Sequence, residues 1–290
     1  MSLEKIIASG NYSGNGVSQS VVIGWQPALV VIFSEDTTKG AIGYKSASMA
    51  GSDYLACSDD AEALSDGITL TATGFSVGDG DEVNRSGITF RWTAIKAGPW
   101  IDTGTYDPSP GGYYQVVTGR QPAMVLVANI LATPAFWWKG LVAFSGNTAA
   151  GRFDSDMSVI PSGPFPEILI TSTGFTVQTG PSSPQVYHYV CLYNLRQPTQ
   201  HVESGNYVGD GSGAKVITLG YQPQFVLLFG NEGTNFSAQK HVESSGHDAN
   251  VLDTNFSFES SQITISATGF TVDTSHNQSG VNYCWIAGKE

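Results

Sequence analysis

Apolar positions along this chain fall into two kinds of run, and both have the length of strands. The first kind is unbroken: Ala28 to Phe33 (ALVVIF), Ala123 to Val127 (AMVLV) and Phe225 to Phe229 (FVLLF). An unbroken apolar strand needs cover on both faces, because alternate side chains point to opposite sides of a sheet. Pro27, Pro122 and Pro223 punctuate the start of each run. Proline has no N–H to give a ladder, so it suits the first position of a strand and not its interior. The second kind alternates. Ile68 and Leu70 share one face and Thr69 and Thr71 the other; Ile263 and Ile265 repeat this, and beyond the glycine Phe75 and Val77 again lie two apart. The pattern predicts two antiparallel strands joined by a turn or bulge, with glycine at the junction for a positive φ. No segment keeps a 3.6-residue period for three turns. Ser58 to Leu64 is expected to form at most a single helical turn capped by Ser or Asp.

These runs recur in order three times. Each copy opens alike: Ser9-Gly10-Asn11-Tyr12, Thr103-Gly104-Thr105-Tyr106, Ser204-Gly205-Asn206-Tyr207. A Gly-rich turn leads to Gly24-Trp25-Gln26-Pro27, Gly119-Arg120-Gln121-Pro122 or Gly220-Tyr221-Gln222-Pro223. Later come Thr73-Gly74-Phe75-Ser76-Val77, Thr173-Gly174-Phe175-Thr176-Val177 and Thr268-Gly269-Phe270-Thr271-Val272. A closing aromatic strand ends each copy, with Phe90 and Trp92, Tyr187 and Tyr189, Tyr283 and Trp285. Four landmarks in one order are not chance. The expected organisation is three homologous units, 1–98, 99–197 and 198–290, each a β-sandwich or jelly-roll-like domain in an all-β chain.

Spacing locates the variation. Tyr12 to Tyr106 spans 94 positions and Tyr106 to Tyr207 spans 101, whereas Gly74 to Gly174 is 100 and Gly174 to Gly269 is 95. The middle copy is therefore longer between its Gln-Pro and Thr-Gly-Phe landmarks. Insertions settle where backbone still reaches water, so 34–66, 129–167 and 230–261 are expected to form the variable surface. The joints Lys96-Ala97-Gly98-Pro99-Trp100 and Leu195-Arg196-Gln197-Pro198 are short, which favours fixed packing between units.

Composition agrees with strands and turns: 34 glycines, 11% aromatic residues and only 13% charged ones. Thirteen Lys and Arg face 25 Asp and Glu, a net charge of −12 without a basic cluster, so no nucleic-acid partner is expected. The first residues lack the apolar core of a secretory signal, and no apolar run approaches the length of a membrane helix. Cytoplasmic synthesis and no membrane insertion are expected. Cys57, Cys191 and Cys284 are far apart and odd in number, which suggests reduced, mostly buried thiols.

Catalytic and metal chemistry lack a motif. The histidines (188, 201, 241, 247 and 276) form no HxH or HExxH. Gly78-Asp79-Gly80-Asp81-Glu82 and Gly209-Asp210-Gly211 lack calcium-loop spacing and read as solvated turns. A glycoside hydrolase assembles its carboxylate pair through the fold; Asp53, Asp59, Asp154 and Asp156 lie in the variable regions and could contribute, but nothing raises them above other acids. No catalytic residue, metal or cofactor is assigned. One segment stands apart: Phe136-Trp137-Trp138-Lys139, in the long region of the middle copy. Adjacent Trp residues on extended chain point to opposite faces, so one is available for stacking on a sugar or anchoring a protein, unless both pack in a buried strand. The middle copy is also nearly neutral, net −1 against −5 and −6 for its flanks, as suits a surface that partners cover.

The Gly-x-Tyr opening, the Gly-aromatic-Gln-Pro strand, Thr-Gly-Phe-x-Val and the aromatic closing strand together resemble a repeat of tailed-bacteriophage virion proteins of the tail-fibre, head-fibre and decoration type. The resemblance covers nearly the whole chain and carries framework positions only; the middle copy departs at Arg120 and at Asp107-Pro108. It implies a non-enzymatic virion protein, in oligomeric assembly with capsid or tail proteins. A carbohydrate-binding adhesin or receptor-binding fibre protein, contacting a host-surface glycan, is the alternative. A polysaccharide-degrading enzyme is a further one.

Overall fold

The computed structural model of the chain describes residues 5–36, 41–57, 61–64, 66–107, 113–130, 135–140, 151–153, 168–178, 186–196, 201–230, 237–241, 249–251, 258–259 and 263–289. Almost all of them lie in antiparallel strands or the turns between them. In the first unit the strands are β1 (Ile7–Ser13), β2 (Gln19–Val22), β3 (Pro27–Ser34), β4 (Ile42–Ser46), β5 (Tyr54–Cys57), β6 (Ala61–Leu64), β7 (Ile68–Thr71), β8 (Gly74–Val77) and β9 (Thr89–Lys96). One helical turn, α1 (Asp81–Asn84), precedes β9. The strands form a large sheet, β1-β9-β3-β4-β5-β6, and a small one, β2-β8-β7.

The second unit repeats the plan with β10 (Ile101–Tyr106), β11 (Tyr113–Val117), β12 (Met124–Asn129), β13 (Ala135–Gly140), β14 (Gly151–Phe153), β15 (Ile168–Thr171), β16 (Gly174–Gln178) and β17 (Tyr187–Leu192). Its sheets run β10-β17-β12-β13-β14 and β11-β16-β15. β18 (Leu195–Arg196), from the joint before the expected boundary at 198, joins the large sheet of the third unit. That unit contains β19 (His201–Val208), β20 (Ala214–Thr218), β21 (Phe225–Gly230), β22 (Ser237–His241), β23 (Ala249–Val251), β24 (Phe258–Glu259), β25 (Ile263–Ser266), β26 (Gly269–Asp273) and β27 (Asn282–Lys289). Its sheets run β18-β19-β27-β21-β22-β23-β24 and β20-β26-β25. In every unit the closing aromatic strand slots between the opening strand and the Gln-Pro strand.

Each Gln-Pro strand is covered on both sides, and by two different cores. Val30 and Ile32 pack with Phe75, Val77 and Trp92 between the sheets of the first sandwich. Val125 and Val127 do so in the second, with Phe175 and Val177. Val226 and Leu228 do so in the third, with Phe270 and Val272. The intervening side chains face the other way and meet: Leu29, Val31 and Phe33, Met124 and Leu126, and Phe225 belong to one cluster with Ile7, Tyr44, Leu192, Val202 and Ile286. Three large sheets thus converge on a shared core, while the small sheets close the sandwiches on the far side. Full burial of such side chains stabilises by about 1.5–3 kcal/mol each, so this junction is a principal source of stability. The chain is a cluster of three sandwiches and not a rod.

The joints are packed accordingly. Trp100 leans on the shared core, and its indole N–H donates to the Lys96 carbonyl (2.6 Å). Between the first two units Ser48 Oγ and His188 Nδ1 lie 3.1 Å apart. Buried Lys45, beside them, donates from Nζ to the carbonyls of Ala50 (3.0 Å), Gly51 (2.9 Å) and Asp53.

The recurrent glycines have two separate reasons. Gly10, Gly104 and Gly205 sit in register opposite Trp92, Tyr189 and Trp285. The aromatic side chain lies over each glycine, and a Cβ would approach its ring atoms to 2.8, 2.7 and 2.4 Å. The glycine before each aromatic-or-Arg-Gln-Pro has open space instead, but φ of +88, +82 and +83° at Gly24, Gly119 and Gly220. Its N–H donates to the Thr carbonyl of the Thr-Gly-Phe turn (Thr73, Thr173 and Thr268), as does the N–H one residue earlier. Two landmarks about 50 residues apart are therefore one physical joint.

Two expectations change. Ala61–Leu64 forms a strand paired with β5 and no helical turn; the helical turn lies instead at 81–84. Pairing with an existing sheet satisfies backbone groups that a one-turn helix leaves open. The segment between the Gln-Pro and Thr-Gly-Phe landmarks also carries strands that widen each large sheet. In the first unit β4 is wholly buried, so this segment is not simply surface.

Candidate functional site

Phe136, Trp137 and Trp138 lie on β13, between β12 and β14, and not in a loop. Trp137 is in register with Val127, which belongs to the core of the second sandwich. Trp138 is in register with Leu126, which belongs to the shared core. The side chains of these three residues lie outside the described part of the structure, as do Asp59, Asp154, Asp156 and His247.

Among the described residues, the candidate acids and thiols have separate partners. Asp210 is held by the Ser212 N–H (2.8 Å), Asn277 Nδ2 (2.8 Å) and Lys215 Nζ (2.9 Å), which keep its carboxyl well below the usual range. These bonds identify a turn-stabilising role. Asp81 pairs with Arg85 (3.7 Å) and Tyr54 Oη reaches Glu82 (3.5 Å). Asp53 turns its backbone carbonyl to Lys45. Cys191 and Cys284 are buried and in no disulfide, and burial raises the Cys191 thiol far above its ordinary value. No three His, Cys, Asp or Glu side chains gather as a metal site among the described residues.

A cleft of about 530 Å³ opens on the outer side of the first sandwich. Gly16, Val17 and Ser18 of the β1–β2 loop form one wall, and Ser52, Asp66 and Gly67 another. Thr69 of β7 and Ser76 of β8 form the floor, with Gly78 and Asp79 closing the end. One buried side chain ties its frame together. Asn84, wholly buried at the end of α1, donates from Nδ2 to the carbonyls of Val17 (2.7 Å) and Gly78 (2.5 Å). Its Oδ1 accepts from the Asn15 N–H (3.0 Å) and Gln19 Nε2 (2.8 Å). One amide thereby ties the loops on two sides of the cleft.

Close backbone contact completes the frame. The Gly78 N–H donates to the Gly67 carbonyl (2.7 Å), and a Cβ on Gly78 would fall 1.6 Å from the Asp66 carbonyl oxygen. Asp66 has φ +67° and is the one non-glycine residue with positive φ among those described. Its N–H donates to Ser52 Oγ (3.2 Å), leaving the carboxylate exposed at the cleft. Asp79 is exposed there as well. No motif announces this site; Asn84 and Asp66 look like ordinary loop residues until the topology brings 15–19, 66–67 and 78–84 together.

No family model matches this chain, and no curated protein matches it.

Proposed function

We propose that the chain is a non-enzymatic structural protein of a phage particle, which decorates the capsid or tail through its β-domain surfaces. The observation that carries this reading is the shared core. Three homologous sandwiches turn their large sheets inward and leave three small sheets outward, each with an open edge strand, β2, β11 or β20. Exposed apolar side chains concentrate on or beside those edge strands: Val17 and Val22, Tyr113, Tyr114 and Val117, and Val216. Exposed edges with apolar residues are places where other chains add strands or dock. The sequence resemblance supplies the identity of the assembly; the architecture supplies a scaffold suited to it.

The test is direct. Particles purified from a producing host are analysed by mass spectrometry and labelled with antibody against this chain. Stoichiometric recovery on heads or tails is expected. Recovery only as free protein, with bare particles, overturns the reading.

A further inference from the structure

The geometry points to the cleft of the first sandwich as a binding site for a neutral, hydroxyl-rich ligand, a monosaccharide or disaccharide unit. This goes beyond the scaffold reading and does not depend on it. The volume, about 530 Å³, is within the range of small-molecule sites and admits one or two sugar rings. Its wall chemistry suits a polyol. Ser18, Ser52, Thr69 and Ser76 supply hydroxyls that both donate and accept, and Asp66 and Asp79 supply acceptors for ligand O–H donors. Ser52 Oγ accepts the Asp66 N–H and so retains its own hydrogen to give. Val17, 61% exposed, offers an apolar patch to the C–H face of a ring. The frame is already organised, because buried Asn84 spends its amide on the two loops and leaves the wall groups for a ligand.

The alternatives fit less well. The first unit has net charge −5, which disfavours acidic sugars. A bare ammonium ion would use the two carboxylates but none of the hydroxyls as donors. Hydrolysis needs a general acid held in an apolar pocket, whereas Asp66 and Asp79 both stand exposed to water. The third unit differs at this place among its described residues: the position of Gly78 is Asp273, and Asp210 is paired with Lys215.

The experiment uses the full chain. Ligand-observed NMR and calorimetry are run with glucose, galactose, mannose, N-acetylglucosamine and their β-linked dimers, with sialyllactose and propylamine beside them. Saturable binding of at least one neutral sugar is expected, little altered between 50 mM and 500 mM salt. Asp66→Asn with Asp79→Asn should weaken it at least about tenfold. Asparagine accepts the left-handed backbone of position 66, so this variant keeps its fold, and unfolding curves verify that. Ser76→Trp, at the half-buried floor, should abolish binding by filling the cleft, with unfolding curves again verifying the fold. Three results each overturn the proposal: no neutral sugar binds, binding survives both variants, or propylamine alone binds and is displaced by salt. Release of reducing ends from the dimers would replace binding by hydrolysis and overturn it too.

Discussion

The guanidinium of Arg120 lies over the ring of Tyr193, 3.6 Å from its centroid. The register makes these two positions equivalent to Tyr221 and Lys289 in the third unit, where the Lys289 ammonium lies 5.9 Å from the Tyr221 ring centroid. In the first unit the same positions hold Trp25 and Lys96. Cation and aromatic have exchanged places in the middle copy. The apparent departure at Arg120 is half of a paired change. Asp102 serves the exchanged pair, accepting from Tyr193 Oη (2.7 Å) and lying 3.6 Å from Arg120 Nη2.

The exchange should be reversible. Arg120→Tyr leaves two aromatics together and Tyr193→Lys leaves two cations, so each is expected to cost about 1 kcal/mol. The double variant restores the order of the third unit and should recover at least half of the summed loss in urea unfolding. Strictly additive losses would show that the two residues are uncoupled.

The two glycine roles predict different responses. Gly205→Ala drives a Cβ to 2.4 Å from the Trp285 ring and should cost about 1–3 kcal/mol by overpacking. Trp285→Leu should relieve part of that cost. Gly24→Ala meets empty space but must hold φ near +88°, at a cost of about 1–2 kcal/mol that no neighbouring truncation relieves. Thermal unfolding of the single and double variants separates the cases.

The shared core predicts that the units do not behave as independent beads. A chain ending at residue 98 uncovers Leu29, Val31, Phe33 and Tyr44. It should bind the dye ANS and self-associate on size-exclusion chromatography, whereas the full chain should not bind ANS. A monodisperse, ANS-silent fragment with a sharp unfolding transition would show that the contact between units contributes little.

Acid should loosen the boundary between the first two units. Burial, and then the neighbouring Lys45 charge, lower the pKa of His188, against weaker raising effects of Ser48 and Asp53. A histidine whose folded pKa is below its ordinary 6.5 binds fewer protons folded than unfolded in the interval between the two values. Stability is therefore complete above about pH 6.5 and falls as pH drops towards and through the folded value. His188→Gln, which stays neutral, should flatten that part of the stability–pH curve. An unchanged slope would assign the acid sensitivity to other groups.

Much of this protein was legible in its residues. Unbroken apolar runs announced strands covered on both faces, and alternation around Thr-Gly-Phe announced the paired strands of the small sheet; both are local consequences of side-chain period and turn chemistry. The threefold order of landmarks announced the repetition. What covers the outer face of each Gln-Pro strand was not legible, because an apolar residue carries no address for its partner. Only the tertiary structure decided that those faces meet in one core. The same holds for the cleft: Asn84, Asp66 and Ser52 are unremarkable polar residues in sequence, and their chemistry exists only where the two sheets and the turn at 81–84 bring distant loops within hydrogen-bond reach.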